Sequence, residues 1–154
     1  MNMLTYGFVA IVVILMGFSF FNNVSKVGTA PKPADVSLDD HIRNGAQAKV
    51  VLVEYGDFQC PACGAYEPLV QQLLSKHVSD VQFVFRHFPL TQIHKNALLA
   101  AKYAEASGIQ GKFWEMHDVL YARQKEWSDS LNAKDLFNGY GKDLGLNVAK
   151  LETD

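Results

Sequence analysis

Residues 50–55, Val-Val-Leu-Val-Glu-Tyr, form a nearly continuous apolar run rich in β-branched side chains, and Cys60-Pro61-Ala62-Cys63 begins five residues later. Such a run suits a strand covered on both faces. A proline in the first helical turn loses nothing, because its missing N–H would be unpaired there anyway. The chain therefore passes from strand into helix at or just after Cys60. Tyr66, Leu69, Val70, Leu73 and Leu74 then fall at i, i+3, i+4, i+7 and i+8, one apolar stripe of a helix. A second β-branched run, Val-Gln-Phe-Val-Phe at 81–85, follows. Two strands joined by a helix predict a right-handed βαβ unit with a parallel pair, hence an α/β fold.

From Asn96 onward the pattern turns helical. One helix is expected over residues 96–107 with Gly108 as its C-cap, a second over 111–127, and a third over 132–145 stopped by Gly145. Their Ala, Leu, Phe and Trp positions read as packing. The chain holds only two cysteines among its 154 residues, and both are in the strand-to-helix junction.

The junction itself favours redox chemistry for that pair. Cys60 would sit beside the free N–H groups and positive dipole end of the helix, which stabilises a thiolate and makes it nucleophilic. Cys63, one turn on, can attack a mixed disulfide at Cys60 and release the partner. A zinc site needs four ligands, and His77, His87, His94 and His117 show no H-x₃₋₅-H spacing. A purely structural disulfide closing so small a loop adds little by loop-closure entropy. Cys-x-x-Cys at the start of a βαβ helix thus reads as a redox pair.

Over residues 48–146 the chain resembles the DsbA-like thioredoxin-fold proteins, the subgroup with a helical domain inserted into the thioredoxin fold. The resemblance rests on "VVLVEYGDFQCPACGAYEPLV", "FVFRHFPL" and "HKNALLAAKYAEASGIQGKFWEMHDVLY". It implies thiol–disulfide oxidoreductase activity through Cys60 and Cys63, with no cofactor beyond that redox-active disulfide and no metal. Pro68 matches the family's kinking proline in the active-site helix. Glu54 matches the buried acid that lies under the cysteines and assists proton transfer at the resolving thiol; a Glu inside an apolar strand is costly to bury without a role. Arg86 and His87 are more often structural in such proteins. Phe58 is expected to pack, and Asp57 to sit near the thiols or serve a capping or turn role. Pro61 and Ala62 would tune the couple: the family's strongest oxidants carry a histidine where Ala62 stands, so this pair should be less oxidising.

A second departure concerns the family's return from the helical insert to a cis-proline loop, two antiparallel strands and a closing helix. The five prolines are Pro31, Pro33, Pro61, Pro68 and Pro89. None follows the insert, so the second half of the thioredoxin fold is expected to be missing, leaving an uncovered sheet edge and core face.

The N-terminus adds a membrane expectation. No charged side chain occurs from Met1 to Ser25, and residues 4–21 run apolar for long enough to cross most of a bilayer core of about 30 Å. An uncleaved signal anchor is favoured over a cleaved signal peptide, whose h-region runs to about 7–15 residues. Lys26 and Lys32 follow the segment and none precedes it, which by the positive-inside rule argues against export of the domain. The cysteine chemistry outweighs this, because persistent disulfides belong to oxidising compartments. With 14 Lys+Arg against 16 Asp+Glu, no basic excess points toward nucleic acid.

The expected organisation is a transmembrane signal anchor (1–22), a linker and domain entry (23–47), the N-terminal half of a thioredoxin-like domain (48–92) and a helical insertion (93–154). The expected function is a single-pass, membrane-anchored extracytoplasmic thiol–disulfide oxidoreductase. Its partners would be cysteine-containing exported proteins, an extracytoplasmic or membrane redox partner, and the bilayer through residues 4–21. A catalytically idle binding or scaffold module, or a small metal-binding domain, are the alternatives.

Overall fold

The computed structural model describes residues 35–45 and 47–153. The apolar segment at 4–21 and the expected anchor lie outside the described residues. Among the described residues, no helix is long and apolar enough to cross a membrane.

Three strands form one sheet: β1 (His41–Arg43), β2 (Val50–Gly56) and β3 (Val81–His87), in the order β1-β3-β2. Helix α1 (Pro61–Lys76) connects β2 to β3, which pair in parallel from Val50↔Val81 to Gly56↔His87. This is the expected βαβ connection. The antiparallel partner β1 was not foreseen. It lies in the stretch read as linker, and three residues are too short a run for a period-2 signal; His41 pairs with Phe85 and Arg43 with Phe83.

β3 occupies the centre of the sheet, and its Phe83, Val84 and Phe85 are fully buried. β2, expected to be covered on both faces, is instead an edge strand with Val50, Val51 and Tyr55 exposed. The α1 stripe is also corrected: Leu74 is buried and Val70 packs on the core, but Tyr66, Leu69 and Leu73 face outward. Helical spacing identifies a face; what covers that face is a tertiary matter.

Five further helices follow: α2 (Ala97–Ile109), α3 (Phe113–Ala122), α4 (Gln124–Trp127), α5 (Ala133–Asp143) and α6 (Val148–Thr153). The predicted 111–127 helix is thus two, broken at Arg123, and α6 lies beyond the last helix read from sequence. Gly108 is not the stop of α2. The helix runs through it to Ile109, and beyond the Gln110 cap Gly111 takes φ +76°, while Lys112 N–H donates to Ser107 O at 2.8 Å and Gly111 N–H to Gly108 O at 2.8 Å. That paired arrangement is a Schellman motif, and its left-handed position favours glycine. Gly145, φ +75°, closes α5 in the same way, as expected.

Five alanines of α2 are buried (Ala97, Ala100, Ala101, Ala104 and Ala106), so neighbouring backbones come close, and α3, α5 and α6 all pack against it. One aromatic group, Phe58, Phe85, Phe113, His117 and Tyr121, fills the space between β3 and α3. A second, Trp127, Phe137 and Tyr103, lies among the later helices.

Candidate active site

Cys60 is the N-cap of α1, with extended backbone (φ −66°, ψ 121°), and Pro61 opens the first turn. The helix therefore starts where the sequence placed it. Cys60 N–H donates to Asp57 O at 3.0 Å and Gly64 N–H to Cys60 O at 3.1 Å. Pro61 and Ala62 are exposed, while Cys60 and Cys63 are both half-buried and both free thiols. The cysteine on the inner side is distinguished by its surroundings. Burial pushes the Cys63 thiol up, and the neighbouring Cys60 thiol and the Glu54 carboxylate push the same way, against the Asp57 backbone amide. A raised pKa makes Cys63 a proton-holding thiol and a poor nucleophile at neutral pH.

Glu54 lies on β2, half-buried, two residues before the strand's end. Burial raises its carboxyl pKa, with a weaker opposing effect from the Tyr121 hydroxyl, which approaches Glu54 Oε1 at 3.5 Å. Tyr121 is itself held protonated by burial and by the carboxylates around it. The arrangement places a carboxyl that holds its proton more firmly than usual near a thiol that must gain or lose one. Pro68 lies inside α1, which continues through it to Lys76. The second carboxylate on that face, Glu67, is buried, and burial raises its pKa as well. It borders a cleft of about 380 Å³ between α1 and α3 that Gly64, Gln71, Asp118 and Tyr121 also line.

The turn before Cys60 is anchored by long-range contacts that no local pattern marked. Asp57 is 3% exposed and accepts three hydrogen bonds: from Gln59 N–H at 2.7 Å, Leu90 N–H at 2.9 Å and His94 Nδ1 at 2.6 Å. Of the two roles expected for it, the turn is right; it does not cap α1, which has no side-chain cap. Gln124 Nε2 donates to Phe58 O at 2.7 Å and to Cys60 O at 2.9 Å. A Cβ on Gly64 would stand 2.6 Å from Gln124 Oε1, so glycine there admits the clamp. Gln59 accepts from Asn96 N–H at 2.7 Å and donates to Ser128 O at 2.6 Å. Phe58 packs as expected, 1% exposed against Phe85, Tyr121, His87 and His117. Arg86 pairs with Asp40 at 2.8 Å and donates to the Tyr55 hydroxyl at 2.9 Å, a structural role.

Beside the thiols runs a groove of about 440 Å³ lined by Gln59, Pro61, His94, Gln124 and the largely exposed Ile93. His77, His87, His94 and His117 show no paired H-x₃₋₅-H spacing, yet among the described residues folding assembles two histidine–carboxylate clusters: His41 with His87 and Glu105, and His117 with Glu67 and Asp118. The first draws its members from β1, β3 and α2, and the second joins Glu67 of α1 to the neighbouring His117 and Asp118 of α3, so no single sequence spacing could reveal either cluster whole.

A family model described as thioredoxin matches residues 38–152. Among curated proteins, the Na(+)/H(+) antiporter NhaA 1 of Salinispora arenicola is 49% identical over 109 residues, which are 71% of this chain and 16% of the antiporter. The Na(+)/H(+) antiporter NhaA 1 of Mycobacterium sp. (strain KMS) is 37% identical over 128 residues, 82% of this chain and 20% of that one. The chain thus spans a fifth or less of the length of these relatives. Similar solved structures include BdbD from Bacillus subtilis, 23% identical with a TM-score of 0.63 over 73% of this chain and 63% of that one. A thioredoxin-like oxidoreductase from Silicibacter pomeroyi is 22% identical, TM-score 0.67, over 81% and 68%. The thiol–disulfide exchange protein alpha-DsbA2 from Wolbachia pipientis is 21% identical, TM-score 0.63, over 75% and 59%. At these identities the likeness establishes the fold, thioredoxin-like and of the DsbA type.

Proposed function

We propose, from the premise that the chain belongs to the thioredoxin family, that it is a thiol–disulfide oxidoreductase working through Cys60 and Cys63. The observation that carries this reading is the asymmetry of the pair: one thiol at the open N-terminus of α1, the other raised by burial beside the Glu54 carboxyl. In the oxidised protein a substrate thiolate attacks Cys60 Sγ. The Cys60–Cys63 bond breaks, a mixed disulfide forms, and Cys63 departs as a thiolate that takes a proton from the Glu54 carboxyl. A second substrate thiolate then displaces Cys60, so the substrate dithiol loses two electrons and the protein gains a dithiol. The groove beside Cys60 is where the substrate chain would lie. Reversal of the same steps reduces a substrate disulfide.

The substrates are cysteine-containing exported proteins, with an extracytoplasmic or membrane partner restoring the redox state. The uncharged apolar segment at 4–21 supports a single-pass anchor with the domain outside the cytoplasm. Cys63→Ser should trap mixed disulfides on Cys60, whereas Cys60→Ser should trap almost none. Equal trapping by the two variants would mean that the roles are misassigned. Alkaline carbonate extraction tests the anchor, and soluble protein lacking its first residues would refute it. An impermeant thiol reagent on intact cells tests the sidedness, with labelling only after lysis as the contrary result.

A second reading is favoured by one finding: the 48–49% identical relatives carry the matched region as 16% of proteins named as antiporters. In that reading the domain is an accessory module of a membrane protein, and its disulfide is not turned over on exported substrates. A Cys63→Ser variant that traps one membrane protein in place of many exported ones distinguishes it.

A further inference from the structure

We infer that His41, His87 and Glu105 form a binding site for a borderline divalent cation of the zinc class, behind the Cys-x-x-Cys turn. His41 comes from β1, His87 ends β3, and Glu105 projects from α2. Their three ligand atoms lie within 4.8 Å of one another. His41 Nε2 is 2.7 Å and His87 Nε2 2.9 Å from the same oxygen, Glu105 Oε1. Both Nε2 atoms thus lie within 3 Å of one carboxylate oxygen.

The ring nitrogens argue for a ligand role over a simple ion pair. Both nitrogens of His87 are shielded from solvent: Nδ1 has no hydrogen-bond partner, and Nε2 has only Glu105 Oε1 at 2.9 Å, poorly aligned for a hydrogen bond. A shielded imidazole whose one polar neighbour is misaligned is costly. Coordination at Nε2, with the proton on Nδ1, would give it one strong partner. Two imidazoles and a carboxylate are the donor set of a zinc site that keeps its remaining position open, and the imidazoles favour zinc, nickel or copper over magnesium or calcium.

Preorganisation is already present. The His41 ring stacks on Phe113, centroids 3.4 Å apart and 6° from parallel, while His87 is held edge-on by Phe58, Phe85 and Phe113. Tetrahedral bonds of about 2.0–2.1 Å place ligand atoms about 3.3 Å apart. Each Nε2–Oε1 separation therefore has to lengthen by only about half an ångström, which the half-exposed Glu105 side chain permits. A bound ion would join β1, β3 and α2, and through Phe58 it would brace the turn that carries Cys60.

The test uses the full chain, purified without an oligohistidine tag, with Cys60–Cys63 oxidised so that no thiolate competes for the ion. Zinc is titrated against a chromophoric chelator. One zinc per chain is expected, with affinity lowered more than about 100-fold by His41→Gln, His87→Gln or Glu105→Gln. Glu67→Gln, in the other histidine–carboxylate cluster, should leave it unchanged. No binding by the oxidised protein, or undiminished binding by the three variants, overturns the site, as does loss of binding in Glu67→Gln. Cobalt(II) gives a second measurement that needs no variant, should any fail to fold. An intense tetrahedral d–d band is expected, and a spectrum unchanged from the free ion overturns the proposal.

Discussion

Removing the Asp57 carboxylate should unfasten the turn that presents Cys60. The side chain is 3% exposed and is the common acceptor for Gln59 N–H, Leu90 N–H and His94 Nδ1. In Asp57→Ala the two backbone donors lose their partner, at about 1–3 kcal/mol each. His94, its side chain 16% exposed, loses its acceptor but can reach water in part. The two backbone donors alone set a loss of about 2–6 kcal/mol, about 4 kcal/mol at the middle of that range. For a folded unit of this size that is a fall in Tm of about 10–20 °C. Asp57→Asn keeps one acceptor oxygen and should lose less. The assay is urea unfolding of the reduced protein at pH 7, followed by the fluorescence of the buried Trp127. Its midpoints are to be combined with those of His94→Ala and the double variant. A coupling energy of about 1–3 kcal/mol is expected for groups in direct contact. A loss below about 1 kcal/mol for Asp57→Ala would refute the reasoning, because it would mean that the freed donors are satisfied elsewhere at no cost.

Four further outcomes follow from the site. Glu54→Gln removes a carboxylate that raises the Cys63 thiol, so the alkylation profile of Cys63 should move to lower pH; an unmoved profile would dissociate Glu54 from the thiol. Because burial raises the Glu54 pKa, its favourable, protonated contribution is complete below the ordinary 4.5 and is lost as pH rises through the folded value. Glu54→Gln should therefore be more stable than wild type at pH 7, with the difference vanishing below pH 4.5 in unfolding midpoints measured across that range. Ala62→His, at an exposed first-turn position, should stabilise the Cys60 thiolate and raise the reduction potential, by about 30 mV for each 1.4 kcal/mol of added interaction. A glutathione equilibrium titration measures it, and a potential that stays put or falls counts against a role for that position. Gly56→Ala would place its Cβ 2.6 Å from Phe85 Cζ and 2.9 Å from the Tyr121 hydroxyl, so it should cost about 1–3 kcal/mol in the same unfolding assay. A neutral result would show that the rings under the site yield freely.

Much of the architecture was legible locally. The β-branched run at 50–55, the proline after Cys60 and the helical spacing beyond it determine a strand–turn–helix with the cysteines at the helix start, because these are preferences of neighbouring residues. The parallel pairing of 50–56 with 81–87 follows from the helix between them. Short elements and coverage were not legible. β1 is three residues long and gains its structure from pairing with β3, and the exposure of Tyr66, Leu69 and Leu73 depends on what lies opposite α1. The position of the thiols was determined by the sequence, whereas their environment was decided by the tertiary structure. Asp57 meets His94 across 37 positions, Gln124 reaches Phe58 O across 66, and Glu105 meets His41 across 64. No periodicity spans such distances, since these contacts exist only once sheet and helices have packed. That packing raises Cys63 and Glu54 by removing water, and it places two imidazoles around one carboxylate oxygen.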